Sequence, residues 1–137
     1  MLRITPWYSG LRNAFQPHWP ISHDMGALTD DMKRVVEQQR LGFVATVCAD
    51  GTPNLSPKGT LCVLDDEHLM FADIRSPGTV ANLRGNPSVE VNVVDPFLRK
   101  GYRFKGRAKV LEAGADFERL VAVFASPSSS RDLLELT

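Results

Sequence analysis

Residues able to do chemistry gather between Asp73 and Pro87, in the run Asp-Ile-Arg-Ser-Pro-Gly-Thr-Val-Ala-Asn-Leu-Arg-Gly-Asn-Pro. Leu69 to Ala72, just before it, has the composition of a strand. Ser76 suits a helix N-cap, Pro77 the first helical position, and Gly85-Asn86-Pro87 a helix stop. A strand running into a helix start leaves backbone N–H groups aimed outward beside the positive end of the helix dipole. That arrangement holds anions, phosphate above all. The same residues also describe a connecting helix that Ser76 merely caps.

A second set lies upstream. From Asn54 to Leu64 the chain alternates, with Asn54, Ser56, Lys58 and Thr60 on one face and Leu55, Pro57, Gly59, Leu61 and Val63 on the other. Hydroxyls and an ammonium in a row are what an anionic ligand needs, although such alternation ordinarily marks a solvent-facing row.

The elements that position these groups read mainly as antiparallel β. Thr29 to Arg40 is a helix, capped by Thr29, with Asp30 and Asp31 at its positive end and Met32, Val35, Val36 and Gln39 on one face. Leu41 to Cys48 is a β-rich run, and Asp50-Gly51 signals a hairpin returning through Asn54–Leu64. In that register Cys48 falls near Leu55 and Cys62 near Leu41, which excludes a disulfide and makes both cysteines small buried hydrophobes. His68 to Ala72, Val89 to Val94 and Tyr102 to Leu111 are the further strands. The last sets Arg103, Lys105, Arg107 and Lys109 against Tyr102, Phe104, Gly106 and Ala108, a cationic face of the ordinary exposed kind. Ala115 to Ala125 is a helix with Phe117, Leu120, Val121 and Phe124 inward. So many antiparallel strands in a short chain favour a small barrel, because closure removes exposed edges.

The ends are less patterned. Residues 1–23, with Trp7, His18, Trp19 and His23, read as an N-terminal arm packing on the domain or on a partner subunit. His18 and His23 have no Cys or acidic neighbour at ligand spacing, so no metal site is expected. Residues 24–126 form the domain and 127–137 a Ser-rich C-terminal tail.

Composition narrows the function. The chain has 137 residues, 16 basic and 16 acidic side chains, and 43% apolar residues. One domain with a proper core is expected, and no charge excess suggests a nucleic-acid partner. No apolar run is long enough to span a membrane, and Met1–Phe15 lacks the apolar core of a secretory signal, so a cytoplasmic protein is expected. No Gly-x-Gly-x-x-Gly, Gly-x-Ser-x-Gly or His-Glu-x-x-His motif occurs.

Taken in order, Leu41–Thr46, Asp50-Gly51-x-Pro53-Asn54-x-Ser56-Pro57-Lys58-Gly59, Phe71-Ala72-Asp73-x-x-Ser76-Pro77-x-Thr79-x-x-Asn82-Leu83-x-x-Asn86-Pro87, Val91-Asn92 and Gly101-Tyr102-Arg103-Phe104-x-Gly106 resemble the pyridoxamine 5'-phosphate oxidase-like FMN-binding split-barrel family. The resemblance covers about residues 28–125. It implies an antiparallel split β-barrel with flanking helices, homodimeric, with an FMN in each of two clefts between subunits. Ser56, Pro57, Lys58, Ala72, Asp73 and Ile74 would then line the flavin. Ser76, Thr79 and Asn82 would hold its phosphate, and Arg103 or Lys100 would approach from the second subunit. Val91, Val93 and Phe97 are the apolar positions left for that partner.

Two departures stand out. Gly78 sits where better-known members carry a basic residue. The chain also ends soon after the second helix, where the family continues into a barrel-closing strand, so the barrel is either incomplete or completed by residues 1–23. The Arg and His that bind pyridoxal phosphate in true oxidases have no counterpart, and pyridoxamine phosphate oxidation is not expected. The implied function is an FMN-dependent oxidoreductase. The alternatives are a non-catalytic module of the same fold that stores or senses flavin, deazaflavin or haem, and a structural dimer with a disabled site.

Overall fold

The structure is a computed structural model and describes residues 2–3 and 28–124. Its elements are β1 (Leu2–Arg3), α1 (Asp30–Gln39), β2 (Gly42–Val47), β3 (Pro53–Lys58), β4 (Cys62–Val63), β5 (His68–Met70), α2 (Pro77–Gly85), β6 (Ser88–Asp95), β7 (Lys100–Ala108) and α3 (Ala115–Phe124). The strands form one antiparallel sheet in the order β3-β2-β6-β7-β1-β5-β4, with three flanking helices. No described helix is long and apolar enough to cross a membrane.

Local chemistry sets α1. The Thr29 hydroxyl accepts a hydrogen bond from the Met32 N–H at 3.3 Å. Arg40 closes the helix in the left-handed region at φ 53°, its N–H bonded to the Val36 carbonyl. Val35 and Val36 are buried in a core with Val44, Leu61, Leu69, Val89, Val91, Val93 and Phe104. Gly42 makes room for the core: a Cβ there would sit 2.6 Å from Leu61 Cδ2 and would push that buried side chain aside.

The hairpin register differs from the one that Asp50-Gly51 suggests. The loop is shorter than that register implies: the Cys48 N–H donates to the Thr52 carbonyl at 2.8 Å, with only Ala49, Asp50 and Gly51 between them, and the Asp50 carboxylate accepts from Thr52 N–H and Oγ1. Gly42 therefore pairs with Lys58, and Cys48 meets Thr52 rather than Leu55. The return strand also breaks after Lys58, and Cys62 pairs with Met70. Both cysteines are free and half-buried, so their full burial was not met. Burial pushes the Cys62 thiol up to about 11.

Two expected interface residues belong to the core instead. Val91 and Val93 are fully buried beneath α1, whereas Phe97 stands 95% exposed. Phe117 and Val121 on α3, expected inward, are substantially exposed because α3 stands across a cleft from α2. The side chain of Phe124 lies outside the described residues. Of the N-terminal arm, Leu2–Arg3 forms a strand between β7 and β5, Leu2 pairing with both Ala108 and Leu69. Trp7, His18, Trp19, His23 and the 127–137 tail lie outside the described residues.

Candidate functional site

The polar row of β3 faces inward. Ser56 pairs with the fully buried Val44, and Lys58 is only 4% exposed, while Leu55 on the opposite face is 65% exposed. Directly paired residues project from the same face of a sheet, so Asn54, Ser56 and Lys58 share their side with Thr46, Val44 and Gly42. Above this row the chain leaves β5, turns at Ala72–Ser76 and enters α2.

The turn is held by one hydroxyl. Thr60 Oγ1 donates to the Ala72 carbonyl at 2.8 Å and accepts from the Ala72 N–H at 2.9 Å. Asp73 follows, and its Oδ1 lies 2.6 Å from Lys58 Nζ. The same ammonium sits 5.8 Å from the centre of the Phe71 ring. Ser76 occupies the N-cap position without capping: its hydroxyl oxygen lies 3.2 Å from that of Ser56. Pro77 brings no N–H to the first turn, and the Thr79 N–H returns to the Ser76 carbonyl at 2.9 Å, so Gly78 supplies that turn's outward donor.

One turn further, α2 is tied down to β2. Asn82 Nδ2 donates to the buried Thr46 Oγ1 at 3.0 Å and approaches Cys48 Sγ at 3.5 Å. Asn54 Nδ2 donates to the same Thr46 oxygen at 3.2 Å. Thr79 is 1% exposed, and its Oγ1 has no hydrogen-bond partner, an expense buried hydroxyls rarely carry. It borders a cleft of about 300 Å³ walled by Phe71, Val80, Leu83 and Leu120, with Asp73 at its edge. An apolar slot bordered by Thr79 and Asp73 suits a planar ring ligand, and the Ser56–Ser76 pair and the Gly78 N–H, at the start of α2 outside the cleft lining, are the neighbouring groups that suit a polar end.

Of the residues picked from the sequence, Ser56, Lys58, Ala72, Asp73, Ser76, Thr79 and Asn82 are brought together around the start of α2. Pro57, Ile74 and Arg103 are not. Ile74 is 75% exposed. Pro57 and Arg103 belong to the outer face, where Pro57 pairs with Phe43, Phe43 with Asn92 and Asn92 with Arg103. Within one chain, Arg103 instead reaches Glu90 at 3.3 Å, and Glu90 also meets Lys105 at 3.4 Å. Thr46 escaped notice because it lies inside an apolar run. A polar residue in phase with the core-facing Val44 was the signal available.

Residues 28–137 match the pyridoxamine 5'-phosphate oxidase family. The uncharacterized protein MJ0282 of Methanocaldococcus jannaschii is 30% identical over 89 residues, covering 64% of this chain and 58% of that protein. This chain thus spans little more than half the length of that curated relative. Among solved structures, HupZ of Group A Streptococcus superposes with a TM-score of 0.66 at 33% identity, covering 71% of this chain and 77% of that one. A Lactobacillus delbrueckii protein classed with the pyridoxamine 5'-phosphate oxidases superposes with a TM-score of 0.65 at 25% identity, covering 74% and 82%. With its antiparallel split-barrel architecture and a match over most of its length, the chain belongs to the pyridoxamine 5'-phosphate oxidase family.

Proposed function

We propose that this chain binds FMN in a homodimer, with the cofactor in a cleft between copies, and works as a flavin-dependent oxidoreductase. The observation that carries the reading is the unpartnered Thr79 hydroxyl at the start of α2, one turn from Asn82 and beside the Ser56–Ser76 pair. These groups, with the Gly78 N–H, would hold the phosphate, and Lys58, Ala72 and Asp73 would border the ring. Arg103, on the outer sheet face, would serve the site of a partner copy. FMN supplies the hydride chemistry itself, so the protein's work is to bind the ring, orient it and keep water from one of its faces. Proteins of the same fold include an FMN-binding protein from Syntrophomonas wolfei at 20% identity.

The test is a titration of the purified protein with FMN, followed by flavin fluorescence and the visible spectrum. Saturable quenching is expected. Unquenched FMN at micromolar protein, with no flavin copurifying, rejects the proposal.

A second reading, non-catalytic binding of flavin, deazaflavin or haem, is favoured by one observation: the Lys58 ammonium is already paired with Asp73. A site whose buried cation is internally matched makes less use of a ligand phosphate. An F420 reductase and the haem storage protein HutZ of Vibrio cholerae share the fold at 24% and 22% identity. Bound flavin that nicotinamide donors fail to reduce selects this second reading.

A further inference from the structure

Lys58 and Asp73 form a buried ion pair below the turn into α2, with Asp73 lining the cleft, side chains 4% and 14% exposed and Nζ 2.6 Å from Oδ1. The backbone leading into Asp73 is anchored, because the residue before it has both backbone groups bonded to the Thr60 hydroxyl. Within the α2 start itself, from Ser76 to Gly78, no side chain carries a charge, and Arg75 just ahead of it is exposed. Ser76 turns its hydroxyl to Ser56, Pro77 is apolar, and Gly78 has no side chain. Packing does not demand glycine at position 78: a Cβ there meets nothing within 4 Å. An anionic ligand therefore faces hydroxyls, one outward N–H, the exposed Arg75 ahead of the helix and a lysine whose charge is already matched at short range.

We infer that Asp73 sets the charge selectivity of this site by withholding Lys58 from the ligand. The inference rests on the flavin-binding reading above. The carboxylate competes with a ligand phosphate for one ammonium, and it competes from a fixed position at no cost in translational freedom. The ligand class this favours is a planar ring cofactor whose phosphate is met by the hydroxyls and the exposed Arg75 rather than by Lys58. Neutralising Asp73 while keeping its shape releases Lys58 to a charge-assisted bond with the phosphate.

The experiment titrates FMN and riboflavin separately into the wild-type protein and Asp73→Asn, at low and high sodium chloride. In wild type, FMN is expected to bind less than about tenfold more tightly than riboflavin, because the matched pair presents no net charge and an exposed arginine adds little. In Asp73→Asn, the ratio of FMN to riboflavin affinity is expected to rise by about tenfold or more, whatever the change does to the shared ring contacts, and salt removes the gain. An unchanged FMN-to-riboflavin ratio in the variant overturns the inference and leaves the flavin reading standing. So does a wild-type protein that already prefers FMN by about a hundredfold with steep salt dependence, a result that needs no variant to fold. Failure of wild type to bind either flavin rejects both.

Discussion

Ser56 and Ser76 stand 20 residues apart in sequence and bring their hydroxyl oxygens to 3.2 Å, joining the polar row of β3 to the first turn of α2. The contact uses the hydroxyl that would otherwise cap the helix. Thr29 makes the opposite choice at α1, where its hydroxyl accepts from the Met32 N–H. Two residues of the same sequence type at the same helical position therefore do different work. Thr29→Ala should cost about 1 kcal/mol, the usual loss for a helix cap. Ser76→Ala should cost less than about 0.5 kcal/mol, because no cap is lost, and should instead weaken FMN binding several-fold. Urea unfolding of both variants, with FMN titrations alongside, checks the pair. Equal destabilisation with unchanged FMN affinity would return Ser76 to an ordinary cap.

Thr46 should matter more to the site than its position in an apolar strand suggests. Its buried oxygen accepts from the side-chain amides of both Asn54 and Asn82, so one atom ties β3 and α2 to the sheet. Thr46→Val keeps the volume and strands two amide donors. A loss of about 1–3 kcal/mol is expected in urea unfolding, together with weaker FMN binding as α2 loosens over the site. A neutral substitution would mean that water replaces the threonine oxygen without penalty.

How far these relationships could be read in advance depends on their range. The α1 caps were legible because Thr29 and Arg40 act within one turn of helix, and the outline of α2 was legible from Pro77 and Gly85. The hairpin register was not. Asp50-Gly51 marks the turn without fixing its length: the Asp50 carboxylate, bonded to Thr52, closes a shorter loop than expected and moves the partner of Cys48 from Leu55 to Thr52. Alternation along β3 separated a polar from an apolar face without saying which was inside. The answer depends on α2 arriving from later in the chain, over Ser56 and Lys58. The polar residues that hold the turn together, Thr46 and Thr60, carry no local motif because their partners lie 36 and 12 residues away.

The outward face of the same sheet leads to a prediction about assembly. Phe43 and Leu55 are 41% and 65% exposed on neighbouring strands, Pro57 lies opposite Phe43, and Val94 is 46% exposed on β6. Apolar side chains collected on one sheet face mark a contact surface, and a two-fold copy of the chain is the partner expected here. Sedimentation should give a dimer for wild type at micromolar concentration. Phe43→Glu and Leu55→Glu should each shift it to a 15.2 kDa species and reduce FMN binding if Arg103 of a second copy reaches the site. A monomeric wild type that binds FMN fully would remove the partner from the site.

Asp31 ties α1 to the β6–β7 hairpin and should give the protein an acid-sensitive joint. Its carboxylate accepts from Tyr102 Oη and pairs with Lys100 and Arg34, and these partners, Lys100 foremost, hold it well below the usual carboxylate range. The sign follows from linkage. A carboxyl whose pKa is lower in the folded chain contributes stability that is fully present above its unfolded value near 3.9 and is lost as pH falls towards the folded one. Asp31→Asn should therefore melt at a lower temperature than wild type at pH 7, and the gap should narrow as pH drops below about 4. Asp31 is partly exposed, so high salt should narrow the gap as well. A gap that stays constant from pH 7 down to pH 2 would mean that the hydrogen-bond geometry of Asp31, which an amide can mimic only in part, counts for more than its charge.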